Sequence, residues 1–239
     1  MNSAARPVAA PVSLVADELE VLESLVPLAG ARIVEAGCGA AHLARALLER
    51  HADAEVVGLE VDERQHAKNL AAPAARLTFV HAGAEAIPLP DASRDGALML
   101  KSLHHVARER MDAALAELAR VVVPGGWLYV SEPVYAGALN ELTRLFNDER
   151  EARAAAQQAL DRAIDSGRWR AAAERHFEMP AHFRDFADFE RRLMRPTFAD
   201  HHIDDAMLAR VRALYAPHQR DSGATFVRPM HVRLLRRAG

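Results

Sequence analysis

The sequence predicts an α/β fold: a doubly wound, mostly parallel sheet that closes with an antiparallel C-terminal strand and carries a helical insertion. Three observations predict it. Short apolar runs alternate with helical patterns five times in about 130 residues, which calls for right-handed crossovers between parallel strands. The run "RIVEA" leads straight into a "GCG" turn and then a helical pattern. Beyond Tyr135 the rhythm breaks, and helix formers rich in Ala, Arg and Glu fill 138–177 before weak strand patterns return.

The elements follow in order. Residues 1–12 are Pro- and Ala-rich and read as a loose tail. Val15, Leu19, Leu22 and Val26 recur at helical spacing, and Gly30 ends that helix. "ARIVEA" reads as a buried strand, "AAHLARALLERH" as a helix with Leu43 and Leu47 on one face, and "AEVVGLE" as the second strand. "DERQHAKNLAA" is a helix opened by acids, as the helix dipole favours. "RLTFVHA" and "GALMLKSL" are the third and fourth strands. The next helix carries Met111, Leu115, Leu118 and Val122 on one side, and Pro124–Gly126 stops it before the fifth strand, "WLYVSEP". In the helical stretch, Leu142, Phe146, Leu160 and Ile164 mark a buried stripe and Gly167 a break. "DFERRLMRPTF" reads as a strand, "IDDAMLARVRALYAPH" as a helix and "RPMHVRLLRR" as the closing strand. The division expected is a core over 1–134, a helical lid over 135–190, and strands and a helix over 191–239 that complete the sheet.

Composition narrows the function. Half of the 239 residues are hydrophobic, so a packed core is expected rather than disorder. The formal net charge of −3 and the lack of a basic tract give no reason to expect nucleic acid. Cys38 is the only cysteine, which excludes an intramolecular disulfide and a cysteine zinc cluster. With no leader pattern and no long apolar run, a cytoplasmic protein without membrane insertion is expected. Monomer and homodimer are both left open.

A strand ending in a glycine turn that feeds a helix aims backbone N–H groups at a ligand, and Gly37 and Gly39 allow its close approach. Glu35, two residues before Gly37, is badly placed for a pyrophosphate and well placed for an ammonium group. Glu60 ends the second strand, 23 residues after Gly37, where an acid takes the hydroxyls of a ribose. A ligand with an ammonium group and a ribose but no phosphate fits both acids, and S-adenosylmethionine (SAM) is such a ligand.

Four stretches, "VEAGCGAA", "VVGLEVDE", "GAEAIPLPDASRDGALMLKSLHHV" and "LARVVVPGGWLYVSEP", resemble in order and spacing the class I SAM-dependent methyltransferases, Rossmann-like enzymes, of the group that includes ubiquinone- and menaquinone-pathway and other small-molecule methyltransferases. The resemblance covers about residues 31–133. It implies that Glu35 anchors the methionyl ammonium, that Gly37, Cys38 and Gly39 lie under the ligand, that Glu60 binds the ribose and that Val61 packs on the adenine. The family often has Asp where this chain has Gly83, so the Ala84 N–H and Glu85 are the nearest readers of the adenine amino group. Ala41 stands near the family's third glycine. Cys38 is read as a small residue in a tight turn rather than a nucleophile.

Methyl transfer from a sulfonium is an in-line displacement that asks the protein mainly to orient the acceptor and exclude water. Lys101 and Ser102, ending the fourth strand, are expected to face the methionyl end. His105 and His104 follow, and either has the chemistry of a general base near neutral pH; the alternative is that one packs and the other is solvated. "FADHHIDD" groups two histidines and two acids, read as helix-opening acids rather than a metal site. The metal-dependent catechol-type methyltransferases carry carboxylates just after the fourth strand, where this chain has Lys101, Ser102 and Leu103, so no metal is expected. Phe177, Phe183, Phe186 and Phe189, near His176 and His182, either bind a flat apolar substrate or pack a helical lid on its domain, and the second reading is the more ordinary. Tyr135 lies at the same rim. The competing functions are an NAD-linked oxidoreductase, which Glu35 and the missing third glycine oppose, and a non-catalytic SAM-binding protein.

Overall fold

In the computed structural model, which describes residues 13–196 and 199–239, five parallel strands form the body of one sheet. They are β1 (Arg32–Ala36), β2 (Glu55–Glu60), β3 (Leu77–His81), β4 (Arg94–Leu100) and β5 (Val122–Pro133). The two outer strands on one side are β6 (Trp169–Phe183) and β7 (Ala224–Arg237). The order across the sheet is β3-β2-β1-β4-β5-β7-β6, and β7 runs antiparallel to both β5 and β6. Successive side chains of a strand point to opposite faces. Ile33 and Leu98 thus join one core cluster and Val34, Ala97 and Met99 the other. Strands covered on both faces read as continuous apolar runs, which is why β1, β2, β4 and β5 are plain in the sequence.

Helices cover both faces. α1 (Glu18–Glu23), α2 (His42–Arg50) and α3 (Glu63–Ala71) come early, then α4 (Met111–Val121), α5 (Ala138–Thr143) and α6 (Arg150–Asp165). α7 (Phe186–Phe189) and α8 (Asp205–Tyr215) follow β6. Strand order reverses between β1 and β4, so a crevice opens over the carboxyl ends of those two strands, the place where open α/β sheets bind ligands.

Four local expectations need correction. The first helix does not begin at Val15: that residue donates its N–H to Glu178 O at 2.8 Å along β6, and Asp17 caps the helix at residue 18. The helix holding Met111, Leu115 and Leu118 ends at Val121. Val122 already pairs with Arg94, and Pro124–Gly126 lie in the bulge before Gly96 meets Trp127. The helical stretch expected over 138–177 stops at Asp165, and 169–183 is strand β6, paired with β7 from Trp169↔Arg237 to Phe183↔Ala224. It is an edge strand with much of its surface in water, so its Ala, Arg and Glu residues look helical while tertiary pairing decides otherwise. "DFERRLMRPTF" is no strand either: α7 runs into a π-helical turn, Glu190–Met194. The expected tail over 1–12, and Thr197 and Phe198, lie outside the described residues.

Candidate active site

The glycine turn sits where β1 meets the crevice. Gly37 is held at φ 72°, a left-handed conformation that suits glycine. A Cβ there would also stand 2.7 Å from the Cβ of Ser102, whose hydroxyl donates to Ala36 O at 2.8 Å. The first two amides of the turn are spent inside the protein, since Gly37 N–H and Cys38 N–H both donate to Leu59 O. Gly39 N–H donates to Glu60 Oε2 at 2.8 Å, and Asp62 N–H to Glu60 Oε1 at 2.8 Å. That carboxylate therefore ties the turn to the start of α3 and retains lone pairs for further donors. Ala41, which caps α2, is fully buried but left-handed at φ 54°. Its methyl fits, and the departure from glycine falls on the backbone instead.

Glu35 lies at the bottom of the crevice. It is buried, and its Oε2 has no hydrogen-bond partner. Burial raises its pKa to about 8, with Glu18 and Glu60 adding to the rise and Lys101 opposing it. An orphaned buried carboxylate oxygen calls for a cationic donor. Lys101 does not supply it in full: its Nζ is 2.7 Å from Glu18 Oε2. Glu18, a buried acid of α1, is a participant that the sequence reading missed. Its signal was an acid next to Leu19 on the apolar face of the first helix. Lys101 itself holds a left-handed backbone, φ 57°, a strain of the kind found at functional sites.

Just beyond β2, Val61 is 63% exposed. Glu85 folds over Gly83 so closely that a Cβ there would collide with its carboxylate. The Glu85 carboxylate thus occupies the space beside Gly83 that a side chain there would take. Its own backbone hydrogen bond and the Arg110 guanidinium, 2.8 Å away, hold Glu85 below the usual carboxylate range. Ala84 is buried beneath it. Cys38 turns away from the crevice and packs on Gly58. Burial pushes its thiol pKa up, so the thiolate a nucleophile needs is disfavoured.

Beyond the turn, a cavity of about 250 Å³ is walled by His104, His105, Pro133, Val134, Leu139 and Phe146, and by Lys101, Asn140, Glu149, Arg153, Arg192 and Arg228. His104 is buried, with Nδ1 hydrogen-bonded to Glu132 Oε2, while Leu103 N–H donates to Glu132 Oε1 at 3.0 Å. The rings of His104 and His105 lie 4.1 Å apart. Desolvation and His104 lower the pKa of His105, against the pull of Glu149 and Glu132, so its imidazole is neutral at pH 7. Glu132, Glu149, Arg153 and Arg228 were not read from the sequence; only the acid of the "SEP" ending marked one of them.

Other expectations resolve differently. Phe183, Phe186 and Phe189 pack with Tyr215 and Phe226 into a separate core, and Phe177 belongs to the main one. None of the four lines the cavity, so the cluster packs the lid. Asp204 caps α8 by accepting from Met207 N–H at 2.7 Å, and Asp205 opens the helix. Among the described residues of that group, His201 reaches the cavity wall, beside Phe146. Tyr135 lies under Arg150 instead of lining the cavity. Among the described residues, His104, His105 and Glu149 bring ligand-type atoms within 4.8 Å of one another, as do Glu174, His176 and His231. In the first group Glu149 is already held by Arg153 at 2.6 Å. Among the described residues, no helix is long and apolar enough to cross a membrane.

Comparison with known proteins agrees with this geometry. Residues 34–130 match the family model described as a methyltransferase domain. An O-methyltransferase of Pyrenophora dematioidea is 34% identical over 121 residues, which are 48% of this chain and 44% of that protein. The 27-O-demethylrifamycin SV methyltransferase of Amycolatopsis mediterranei is 35% identical over 117 residues, 46% of this chain and 42% of that protein. The chain thus spans under half the length of these curated relatives. Among solved structures, the YcgJ protein of Bacillus subtilis superposes with a TM-score of 0.64 at 14% identity, over 93% of this chain and 98% of that one, which speaks to the fold. The likeness to a methyltransferase domain thus lies over residues 34–130 of this chain.

Proposed function

We propose that the protein transfers a methyl group from SAM to an oxygen of a small-molecule acceptor, without a metal ion. The observation that carries this reading is the pair of buried carboxylates closing β1 and β2, one of them with an orphaned oxygen, beside a cavity that ends at two histidines. The residues suit the cofactor: an ammonium group satisfies Glu35 Oε2, a ribose diol suits Glu60, and Val61 and Glu85 offer an apolar contact and an acceptor to an aminopurine. When bound, SAM supplies an electrophilic methyl on an excellent leaving group. Lys101 and Ser102 keep Glu35 and the turn in register, and Gly39 leaves room above it. His105, neutral at pH 7, accepts the proton of an acceptor hydroxyl as it turns nucleophile. Glu132 fixes the ring of His104, which in turn backs His105. α5 and α6 with the segment around His201 form the lid that keeps water from the cavity. The cationic side chains Lys101 and Arg153 repel a divalent ion, which supports metal independence.

Calorimetry with S-adenosylhomocysteine, followed by transfer of labelled methyl from SAM into a metabolite extract, tests the reading. Binding and a base-stable labelled product are expected. No uptake of S-adenosylhomocysteine together with binding of NAD would overturn it, and binding without any transfer would leave a SAM-binding protein.

A further inference from the structure

The walls of the cavity carry more positive than negative charge, in a chain whose formal net charge is −3. Lys101, Arg153, Arg192 and Arg228 face one acid, Glu149. Two of the cations are matched: Lys101 by Glu18 at 2.7 Å and Arg153 by Glu149 at 2.6 Å. Arg192 reaches Asp188 at 3.3 Å, but Arg184 and Arg191 approach the same carboxylate. The guanidinium of Arg228, on β7, makes no hydrogen bond or ion pair among the described residues, and the acids that attract it, Glu149 and Glu18, are the ones already paired with Arg153 and Lys101.

A guanidinium stays charged in proteins, and leaving one half-buried without a counter-charge is unfavourable. Loss of hydration and the nearby Arg153 and Arg192 lower the pKa of Arg228 against the pull of Glu149 and Glu18, so the shared acids do not offset its burial. A second group in that wall is also unsatisfied: Asn140 is buried and its Nδ2 has no acceptor. The orientation of its amide is fixed because Oδ1 accepts from Arg153 at 3.1 Å. An unsatisfied donor and a guanidinium without an ion-pair partner share one cavity wall, and an anionic group with two oxygens would complete both.

We propose that the acceptor is a hydroxylated carboxylic acid whose carboxylate docks on Arg228 and Asn140 and whose hydroxyl oxygen is methylated. The inference rests on the methyltransferase reading above and adds the substrate class. The carboxylate is the handle rather than the nucleophile, because oxygens paired with a guanidinium have committed their lone pairs. In the transfer, the hydroxyl oxygen forms a bond to the methyl carbon as the carbon–sulfur bond breaks. The electron pair of that bond stays on sulfur, the hydroxyl proton passes to His105, and a methyl ether and S-adenosylhomocysteine leave. Arg228 is then a binding residue for the acceptor and takes no part in the electron flow.

The test uses the full chain saturated with S-adenosylhomocysteine. A panel of hydroxy acids, among them 3- and 4-hydroxybenzoate and 3-hydroxybutyrate, is titrated beside the matching primary amides. At least one acid is expected to bind about tenfold or more tighter than its amide, the scale of a charge-assisted pair. Arg228→Gln is expected to erase that difference, Arg228→Lys to keep part of it, and both to bind S-adenosylhomocysteine as the parent does. Turnover with labelled SAM is expected to give a product that survives mild base, as an ether does and an ester does not. The proposal is overturned if no acid outbinds its amide, if the preference survives Arg228→Gln, or if the product is a methyl ester. It is also overturned if Arg228→Gln weakens S-adenosylhomocysteine itself, which would put the guanidinium on the cofactor's own carboxylate. Failure of the parent protein to bind S-adenosylhomocysteine sinks the methyltransferase reading and this inference with it, so the two failures are distinct.

Discussion

Replacing Glu35 with Gln should make the protein without ligand more stable in mild alkali and poorer at holding its cofactor. Burial lifts the carboxyl from 4.5 to about 8, so the folded chain keeps a proton that the unfolded chain has released. The stability conferred by that proton is full below the unfolded pKa. It falls by ~1.4 kcal/mol per pH unit as pH rises towards the folded pKa and is gone above it, a total of ~4–5 kcal/mol. Glutamine keeps the shape and does not titrate. Urea unfolding followed by circular dichroism at pH 5, 6.5 and 8 should give near-equal stabilities at the lowest pH. The variant should be ahead by ~3 kcal/mol or more at the highest. With S-adenosylhomocysteine present the order should reverse, since an ammonium group pulls the Glu35 pKa down and rewards only the carboxylate. Calorimetry at pH 7 in buffers of different ionisation heat should then record proton release on binding to the parent and none to Glu35→Gln, whose affinity should drop roughly ten- to a hundredfold. Parallel stability-against-pH curves for the two proteins, or undiminished binding by the variant, would refute the reasoning.

Three further substitutions probe other parts. Gly37→Ala forces a methyl into a left-handed turn and against Ser102, and should lower stability by ~2–4 kcal/mol in thermal unfolding; adding Ser102→Gly should recover only the steric share. His105→Gln should reduce kcat about a hundredfold with S-adenosylhomocysteine binding intact. Because the His105 pKa is lowered, the parent's kcat at saturating SAM, where Glu35 is already paired, should be on its plateau at pH 7 and fall only as pH drops through the acid side; a kcat indifferent to the substitution removes the base role. Phe189→Ala, at a fully buried ring, should cost ~3–5 kcal/mol in urea unfolding; a changed KM with little loss of stability would mean that the aromatic cluster touches substrate after all.

The central strands and the carboxylates that close β1 and β2 were legible because their signals are local. An apolar run, an acid at its end and a glycine turn after it need no knowledge of the rest of the chain. β6 was illegible for the opposite reason. Its residues are helix formers, and the partner that makes them a strand, β7, begins 41 positions after it ends. The wall of the cavity was hidden in the same way. Asn140 and Arg153 come from the helical insertion and Arg228 from the last strand, so only folding brings them to one cavity. Glu18 lies between the cases: an acid on the apolar side of a short helix is visible, but its lysine partner 83 residues away is not.

The short segment of residues 13–15, bridged to β6 at Leu14, has a mechanical consequence. Ser13 O takes the N–H of Glu178, and Val15 returns one to its carbonyl, so this short piece both stitches the outer border of the sheet and hangs the helix that delivers Glu18. Peeling it away would do two things at once. It would bare the N–H and carbonyl of Glu178 on the edge strand, and it would deprive the lysine beside the Glu35 carboxylate of its counter-ion, loosening the chamber floor from a point far along the border.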